Sequence, residues 1–469
     1  MRVGTDSQGL QFNAHAEGTR FLLSFRRMPS LRILDAADAA GRREVTSLIA
    51  TLRGGGLVAA SERRDLDVPG IVADILREVR EGGDAAAARL TSKLDRADVR
   101  ADAIRVPAEA IARAHREADP AFLALVRRVT TNIRAYQEHI RHRDPAPLLR
   151  GGRRLGLRYT PIDRVGVYVP GGRALYPSTV LMTVVPAQVA GVREIVIASP
   201  PTGGAVSDLL LALAGELGIG EVLRLGGAVA IAALAQGTAT IRRVDKIVGP
   251  GNAFVAEAKR QLFGQVGIDA VAGPSEVVIV ADDTAQPDWV AADLLAQAEH
   301  DPGASILLTP SRALAERVAV EVERQLLTLA RADVTRAALE RYGAAVVSAT
   351  LDAACDLASE LAPEHLQIIT RDDARCLARV RHAGAIFLGA HTPVPLGDYV
   401  AGPSHVLPTG GTARFFGALG ANDFLKASSL IEYDAAALAE DSADVDAFAT
   451  REGLGAHAAT VRVRGTGRT

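Results

Sequence analysis

The sequence predicts an α/β protein with two parallel sheets, and two observations support that prediction. After Pro145 and Pro147, short β-branched segments alternate with Ala- and Leu-rich stretches of helical periodicity, which is typical of parallel strands covered by helices. The candidate strands are too many for one sheet, so two doubly wound units are expected, divided near residues 268–274. The predicted strands span residues 165–169, 195–198, 221–225, 246–248, 277–280, 306–308, 345–347, 367–369 and 385–388.

A helical region is predicted ahead of these strands, over residues 28–150, and is expected to pack with the second sheet unit. The region is rich in Ala, Arg, Glu and Leu. Apolar residues recur in it at helical spacing, as in Val68, Ile71, Ile75 and Val79. Met28 opens a segment that resembles the beginning of a protein chain. Residues 1–27 are therefore predicted to be disordered or to precede the true translation start. N-terminal sequencing of the native protein would decide between these readings.

The C-terminal tail, residues 414–469, is predicted to be mostly helical and to end in an extended segment over residues 460–464. It contains little apolar surface with which to build a core of its own. We therefore expect the tail to pack against another subunit, which predicts a homo-oligomer.

Composition excludes several functional classes. The chain has 469 residues, of which 48% are hydrophobic and 23% charged, as in ordinary globular proteins. Because 53 basic residues are balanced by 55 acidic ones, no electrostatic case exists for nucleic acid or an acidic membrane surface, and a small-molecule substrate is favoured. Cys355 and Cys376 lack CxxC spacing, which argues against a disulfide framework and a thiolate zinc site. The same cysteine usage argues against secretion, so a reducing cytoplasm is the expected compartment. No apolar run reaches membrane-spanning length.

Glycine-rich turns occur in the first sheet unit, but none forms a GxGxxG or Walker fingerprint. The two units are therefore predicted to be Rossmann-like with incomplete nucleotide fingerprints. A nucleotide could bind at the turn over residues 169–172, because open α/β sheets bind ligands at the carboxyl ends of their strands. The alternative is that these turns contain glycine for backbone reasons alone.

Two segments contain side chains that suit metal binding. Gln297 and His300 lie three residues apart near the end of a predicted helix, so they share one face of it. Asp398 lies in a segment, residues 397–409, that is dense in Gly, Pro, Asp and His, and a long structured loop in a compact enzyme is usually functional. His405 of the same segment could hydrogen-bond a substrate. Structural alternatives exist, because His300 could cap its helix and Asp398 could cap backbone amides in a turn.

Glu364 and His365 place a carboxylate beside an imidazole at a predicted loop-to-strand junction. The imidazole can take a proton near neutral pH and the carboxylate can orient or activate water, whereas the alternative is a solvated pair in a loop. For His457, near Gly455, the alternative is a solvated loop histidine, which this segment taken alone favours. His457, together with Gln297, His300 and Asp398, supplies nitrogen and oxygen ligands for a borderline metal such as zinc. Glu364 and His365 add an acid/base pair. The sequence therefore predicts a metal-dependent enzyme.

Taken together, these segments resemble the histidinol dehydrogenase family, from about Ile33 to Val463. Several long motifs in the right order are more specific than any one of them. They are VGVYVPGG at residues 165–172, VGPGN at 248–252, AGPSEV at 272–277, QAEH at 297–300, APEHL at 362–366, GDY at 397–399, HVLPT at 405–409 and EGLGAH at 452–457. The resemblance implies a zinc enzyme that oxidises L-histidinol to L-histidine through the aldehyde and reduces two NAD per turnover.

The same resemblance implies a role for each candidate residue. Glu364 matches the residue that activates the water attacking the aldehyde, and His365 matches the general base that takes the alcohol proton. The implied zinc ligands, which also contact substrate, are Gln297, His300, Asp398 and His457, the last supplied by the other subunit of a homodimer. Further substrate contacts are implied for His365, Ser275, His405 and Glu452, with Glu452 again from the partner chain. The implied NAD contacts are Tyr168, Val229 and Asn252.

The resemblance also implies a nucleotide-binding domain over residues 151–272, a catalytic domain over 273–413 and a tail over 414–469 that contributes to the partner's site. Val229 is a departure, because the family usually has Gln after Gly-Gly-Ala, and valine lacks an amide that could hydrogen-bond NAD. Ser404 stands where Asn commonly precedes the histidine. Both changes leave open a paralogue that oxidises another polar alcohol or diol. A catalytically idle paralogue is disfavoured because the acid/base pair and every metal-ligand type are present.

Overall fold

The computed structural model describes residues 30–53, 66–171, 177–300 and 302–465, so the predicted extension over residues 1–27 lies outside the described residues. The strands are β1 (Arg32–Asp35), β2 (Leu148–Arg150), β3 (Arg153–Pro161), β4 (Arg164–Tyr168), β5 (Glu194–Ala198), β6 (Val222–Leu223), β7 (Lys246–Val248), β8 (Gly267–Ile268), β9 (Ser275–Ala281), β10 (Gly303–Thr309), β11 (Gly343–Val347), β12 (His365–Ile369), β13 (Ala385–Leu388) and β14 (Leu425–Tyr433). The helices are α1 (Ala39–Arg53), α2 (Val68–Asp95), α3 (Ala108–Glu117), α4 (Pro120–Ile140), α5 (Pro177–Ala190), α6 (Asp208–Glu216), α7 (Gly227–Gln236), α8 (Ala253–Leu262), α9 (Pro287–Ala298), α10 (Arg312–Leu326), α11 (Ala332–Tyr342), α12 (Leu351–Leu361), α13 (Asp373–Arg379), α14 (Val394–Tyr399), α15 (Ala435–Arg451) and α16 (Gly455–Gly465). Short 3-10 helices span Ala101–Ala103, Thr412–Arg414 and Ala421–Phe424. Among these residues, no helix is both long enough and apolar enough to cross a membrane.

The first parallel sheet orders its strands β6-β5-β4-β7-β8. Within it, Val167 of β4 lies between Ile197 of β5 and Val248 of β7, and all three side chains are buried. Such burial is expected of parallel strands with helices on both faces. Helices α3 to α6 pack on one face, while α2, α7 and α8 pack on the other. Because the strand order changes direction between β4 and β7, the carboxyl ends of these two strands border a crevice.

The second parallel sheet orders its strands β1-β11-β10-β9-β12-β13. Helices α9, α10 and α11 cover one face, and α1, α12 and α13 cover the other. Each of the strands predicted from the sequence is present in one of the two sheets, so the mixed α/β class with parallel sheets is confirmed. The doubly wound, Rossmann-like description and the domain boundaries stay predictions.

The N-terminal region divides between the two sheets, whereas the sequence predicted packing with the second unit. Strand β1 pairs with β11 at the edge of the second sheet, and α1 packs beside it. Helices α2 to α4 lie instead against the first sheet. Of the residues predicted to form the buried face, Ile75 and Val79 are buried there, whereas Ile71 is 37% exposed and its neighbour Val72 is buried instead. Helical periodicity specifies a buried face but does not specify which of two apolar surfaces that face will meet.

The tail corrects two expectations. It contains a long strand, β14, which pairs antiparallel with β3 in a sheet ordered β14-β3-β2. Residues 460–464, predicted to be extended, belong instead to α16. Alternation of Val461 and Val463 with arginines has the period of a strand, but α16 packs against α15 and buries Val461. Tertiary packing thus overrides local propensity here.

Candidate active site

Several candidate residues meet at the amino edge of the second sheet. Ser275 opens β9, His365 opens the adjacent strand β12, and Gln297 lies in the last turn of α9, just before β10. Asp398 and His405 come from the segment that follows β13. Asp398 lies in the short helix α14 rather than in the loop predicted from its Gly- and Pro-rich surroundings. The chemistry of this sheet is therefore concentrated where its strands begin.

A turn ahead of β12 lets Glu364 and His365 act together. Ala362 adopts a left-handed conformation, with φ of 51°, and ends α12. His365 Nδ1 then lies 3.5 Å from Glu364 Oε2 and 3.3 Å from the carbonyl oxygen of Glu276. The other ring nitrogen, Nε2, is 3.7 Å from Asp398 Oδ1, which exceeds hydrogen-bond length. Within the described residues this buried Nε2 has no hydrogen-bond partner, so it is the ring atom available to a substrate.

Neighbouring charges favour the protonated form of His365. Burial by itself lowers the pKa of this imidazole, but the carboxylates of Glu364 and Asp398 outweigh burial and raise the pKa to about 9. Burial raises the pKa of Glu364, and the charge of His365 opposes that rise. Both side chains are almost completely shielded from water. The pair can therefore hold and exchange a proton in a site from which bulk water is excluded.

A chain of hydrogen bonds fixes the orientation of Gln297. Its Nε2 donates to Ser275 Oγ over 2.8 Å, and Ser275 Oγ donates to Glu364 Oε2 over 2.5 Å. Because the nitrogen end of the amide is directed at Ser275, the oxygen end is left for another partner. The buried amide thus presents an oxygen atom that suits a metal.

The two histidines near Asp398 favour the neutral state. Burial lowers the pKa of His300 and of His405, and the charge of Asp398 only partly offsets the effect. A neutral imidazole has a lone pair for a metal, and imidazole, carboxylate and amide oxygen together form a donor set that fits zinc. His405 Nδ1 lies 3.0 Å from the carbonyl oxygen of Asp398, and its Nε2 lies 3.3 Å from Thr179 Oγ1 of α5. His405 therefore links this site to the helix that follows β4.

Glu452 and His457 are not brought to this site by their own chain. Glu452 follows α15, His457 lies in α16, and both line an open cleft with Phe448 and Leu454. Across the ranges that the structure describes, no group of three or more His, Cys, Asp or Glu side chains is placed to hold a metal. A single chain therefore assembles Gln297 and its neighbours but not the whole predicted ligand set.

The candidate NAD residues lie at the carboxyl edge of the first sheet. Tyr168 ends β4, and its hydroxyl accepts a hydrogen bond from the amide of Gly227 over 3.1 Å. Burial raises the pKa of Tyr168 to about 12. Asn252 follows β7 and caps α8, because its side chain accepts hydrogen bonds from two backbone amides of the first turn of that helix. Val229, in the first turn of α7, is 1% exposed and packs in the core, which explains why an apolar side chain is stable there.

Glu276 is a residue of the site to which sequence reasoning assigned no role. It is 2% exposed, and its Oε1 accepts hydrogen bonds from the amides of Glu364 over 3.2 Å and Gly410 over 2.9 Å. Its own amide donates to Glu364 Oε2 over 3.2 Å. Burial raises the pKa of Glu276 to about 8, and the charge of Glu364 adds to the rise. An acidic residue inside the apolar strand β9 was the available signal, because unpaired glutamate is rarely buried.

The chain is similar to known proteins along most of its length. A sequence profile described as histidinol dehydrogenase matches residues 59–465. A histidinol dehydrogenase from Geobacillus kaustophilus is 52% identical over 84% of this chain and 93% of its own length. One from Rhodopirellula baltica is 51% identical over 84% of this chain and 86% of its own length. The crystal structure of histidinol dehydrogenase from Elizabethkingia anophelis is 30% identical and superposes with a TM-score of 0.85, covering 93% of this chain and 98% of that one.

Proposed function

The chain belongs to the histidinol dehydrogenase family, and on that premise we propose that it oxidises L-histidinol to L-histidine through the aldehyde, in histidine biosynthesis. Membership makes it an NAD-dependent dehydrogenase. The finer proposal is that each turnover uses two NAD and depends on bound zinc. The observation that carries the proposal is the buried pair of Glu364 and His365. The imidazole Nε2, which has no hydrogen-bond partner in the described part of the chain, lies beside Asp398.

His365 is proposed as the general base. The carboxylates of Glu364 and Asp398 raise its pKa to about 9 despite burial, so the imidazole is a strong base in its neutral form, and the fraction that is neutral, which grows as pH rises, takes the proton of a bound alcohol. Loss of that proton allows a hydride to leave the carbinol carbon for NAD, the co-substrate. The charge that His365 gains is stabilised by the same two carboxylates.

Glu364 is proposed to activate the water that adds to the aldehyde. Burial raises the pKa of its carboxyl group, which increases its strength as a base, and the hydroxyl of Ser275 holds one of its oxygens in place. Water adds to the aldehyde carbon while one of its protons passes to the Glu364 carboxylate and the carbonyl oxygen takes the proton held by His365. The hydrated aldehyde then gives its hydride to a second NAD and a hydroxyl proton to His365, and becomes the acid. Because the pair is buried, the aldehyde is retained between the two steps.

Gln297, His300 and Asp398 are proposed to hold zinc. The lowered pKa of His300, the amide of Gln297, whose nitrogen end faces Ser275, and the carboxylate of Asp398 support this assignment. Zinc, when bound, would supply a positive charge that grips the nitrogen atoms of the substrate and fixes the carbinol carbon. His405 and Ser275 are proposed to contact the substrate from either side of these residues.

A homodimer is proposed to complete the site, with Glu452 and His457 of the partner subunit as substrate and zinc contacts. The exposed tail supports this proposal, because Ile431 is 73% exposed and Phe448 71% exposed. Large apolar side chains gathered on an outer face of a protein mark an interaction surface. Glu452 and His457 lie together in one cleft of that tail, so a single docked tail would deliver both.

NAD is proposed to bind at the carboxyl edge of the first sheet, within residues 151–272. Tyr168 and Asn252 lie on either side of the position where the strand order changes direction, which is where open α/β sheets bind dinucleotides. Val229 lies in the first turn of α7 at the same edge. Thr179 and His405 connect this edge to the acid/base pair.

The proposed function is tested by assaying the purified protein with L-histidinol and NAD while measuring zinc in the same sample. We expect two NADH for each histidinol consumed, about one zinc per subunit, and loss of activity on chelation. Polar diols and other amino alcohols form the control panel. Turnover of a diol without turnover of histidinol would replace this proposal with a paralogous activity, and full activity without zinc would refute the metal assignment.

A further inference from the structure

Asp95 places a carboxylate against the first-sheet crevice. It is the last residue of α2, and its side chain packs on the turn that begins α7. A methyl group added at Gly226 would lie 2.4 Å from Asp95 Oδ2 and 2.6 Å from the Cβ of Pro200. Pro200 follows β5 and Gly226 follows β6. Three segments therefore meet at the carboxyl edge of the first sheet, next to Tyr168, whose pKa the charge of Asp95 helps to raise.

No contact among the described residues gives this carboxylate a structural role. In the part of the chain that the structure describes, Asp95 receives no hydrogen bond or ion pair, and partial burial raises its pKa. A negative charge on the last residue of a helix also opposes the helix dipole. A partly desolvated acid without a protein partner is costly unless a ligand supplies one. Because Gly226 has no side chain, the Asp95 carboxylate can occupy this position beside the crevice.

We propose that Asp95 accepts hydrogen bonds from the 2′- and 3′-hydroxyls of the adenosine ribose of NAD and makes the enzyme select NAD over NADP. In dinucleotide-binding sheets, an acidic residue near the end of the second strand binds these hydroxyls. Here β4 and β5 are the first two strands of the unit, and Asp95 reaches the end of β5 from the preceding helix. A 2′-phosphate would bring negative charge against the carboxylate, which disfavours NADP. This inference rests on the proposed binding of NAD at that edge.

The test measures binding of ADP-ribose, 2′-phospho-ADP-ribose and nicotinamide mononucleotide to zinc-free protein by calorimetry. For Asp95→Asn we expect ADP-ribose to bind roughly tenfold more weakly, since one charged hydrogen-bond acceptor is lost. Binding of the 2′-phosphorylated ligand should be unchanged or tighter, and binding of the mononucleotide unchanged. Asp98→Asn is the matched control, because Asp98 is an exposed carboxylate three residues away.

Unchanged binding of ADP-ribose to Asp95→Asn would overturn the proposal, as would an equal loss in Asp98→Asn. A lower melting temperature without any change in ligand preference would show that Asp95 only stabilises the start of α7, and would also overturn it. Asp95→Ser gives an independent measurement if the asparagine variant is unstable, and it should shift preference in the same direction. Failure of the wild-type protein to bind ADP-ribose or NAD would instead remove the proposed cofactor site itself.

Discussion

At the scale of single residues, the proposed chemistry depends on how His365 is surrounded. One ring nitrogen faces Glu364 and the carbonyl oxygen of Glu276, while the other is buried without a hydrogen-bond partner among the described residues. The residue types were predictable from the sequence, since an acid beside a histidine at a strand start suggests proton transfer. Glu276 was not predictable in its role, because its contacts with Glu364 and Gly410 join residues far apart in the chain.

His365→Asn should abolish oxidation of histidinol while leaving the fold and the zinc content unchanged. Asparagine fills a similar space but cannot take the alcohol proton, and loss of a general base costs roughly 10²- to 10⁴-fold in rate. Steady-state assays, melting temperature and metal analysis of the same preparation check this. Near-normal turnover by the variant would refute the base assignment.

Glu276→Gln should change how stability depends on pH. The pKa of Glu276 is about 8 in the folded chain against an ordinary 4.5, so the folded state keeps a proton that the unfolded state releases. The free energy of unfolding of the wild-type protein should therefore fall as pH rises from about 5 to 8, and the glutamine variant lacks this contribution. We therefore expect the melting temperature of the variant, measured relative to that of the wild type, to increase as pH rises over this range.

The control for that pH comparison is Glu117→Gln, which changes a glutamate whose side chain is 71% exposed. The difference between its melting temperature and that of the wild type should be the same at every pH. If the difference for Glu276→Gln is also the same at every pH, then Glu276 does not make the stability of the wild type depend on pH.

At the scale of elements, a buried ion pair supports the turn that leads into α8. Lys259 Nζ lies 2.7 Å from Asp269 Oδ1 and donates to the carbonyl oxygen of Gly249, while the amide of Gly249 donates to Asp269 Oδ2. Gly249 has φ of 115°, and a Cβ there would lie 2.1 Å from the carbonyl oxygen of Tyr168. The pair therefore holds the glycine turn between the two predicted NAD contacts, Tyr168 and Asn252.

Lys259→Met should lower the free energy of unfolding by about 3–5 kcal/mol, because it leaves the charge of Asp269 buried and uncompensated. NAD binding should weaken as well, since the turn loses its anchor. Denaturant titration and calorimetry measure the two effects. Arg77→Ala breaks an exposed pair with Asp74 and should cost below about 1 kcal/mol. Equal, small losses in both variants would show that the buried pair does not hold the turn.

The strands differ in how far the sequence revealed them. Buried strands such as β9 and β11 are continuous apolar runs, so their composition was sufficient to predict them. Strand β14 was missed because its residues are mostly exposed and show no clean alternation of apolar and polar side chains. Strand β1 was missed because it is short and precedes a region dominated by helical periodicity.

At the scale of the whole molecule, the proposed reaction joins the amino edge of the second sheet to the carboxyl edge of the first. His405 and Thr179 join the two sides. The sequence predicted which residues belong to the reaction through motif order, but a single chain leaves Glu452 and His457 apart from the rest. No pattern within one chain specifies the position of a second copy.

Mixing Glu364→Gln subunits with His457→Asn subunits should restore activity that neither variant has alone. If sites are shared, each hybrid dimer contains one site with wild-type Glu364 and a wild-type His457 from its partner. With free exchange of subunits we expect roughly a quarter of wild-type activity. Mixing Glu364→Gln with His365→Asn is the control and should restore nothing, because both changes lie in the same half of the site. Inactive hybrids in the first mixture would argue against sharing.

The edge position of β1 determines the order in which the protein can assemble during synthesis. Arg32 leaves the ribosome early, yet its contact on β11, Gly343, lies 311 positions further along the chain. The first sheet, by contrast, runs without interruption from β4 to β8 and can form as soon as those strands emerge. Pairing across such a long separation is slow. We therefore expect the proposed NAD site to form in the growing chain before the proposed acid/base pair is complete.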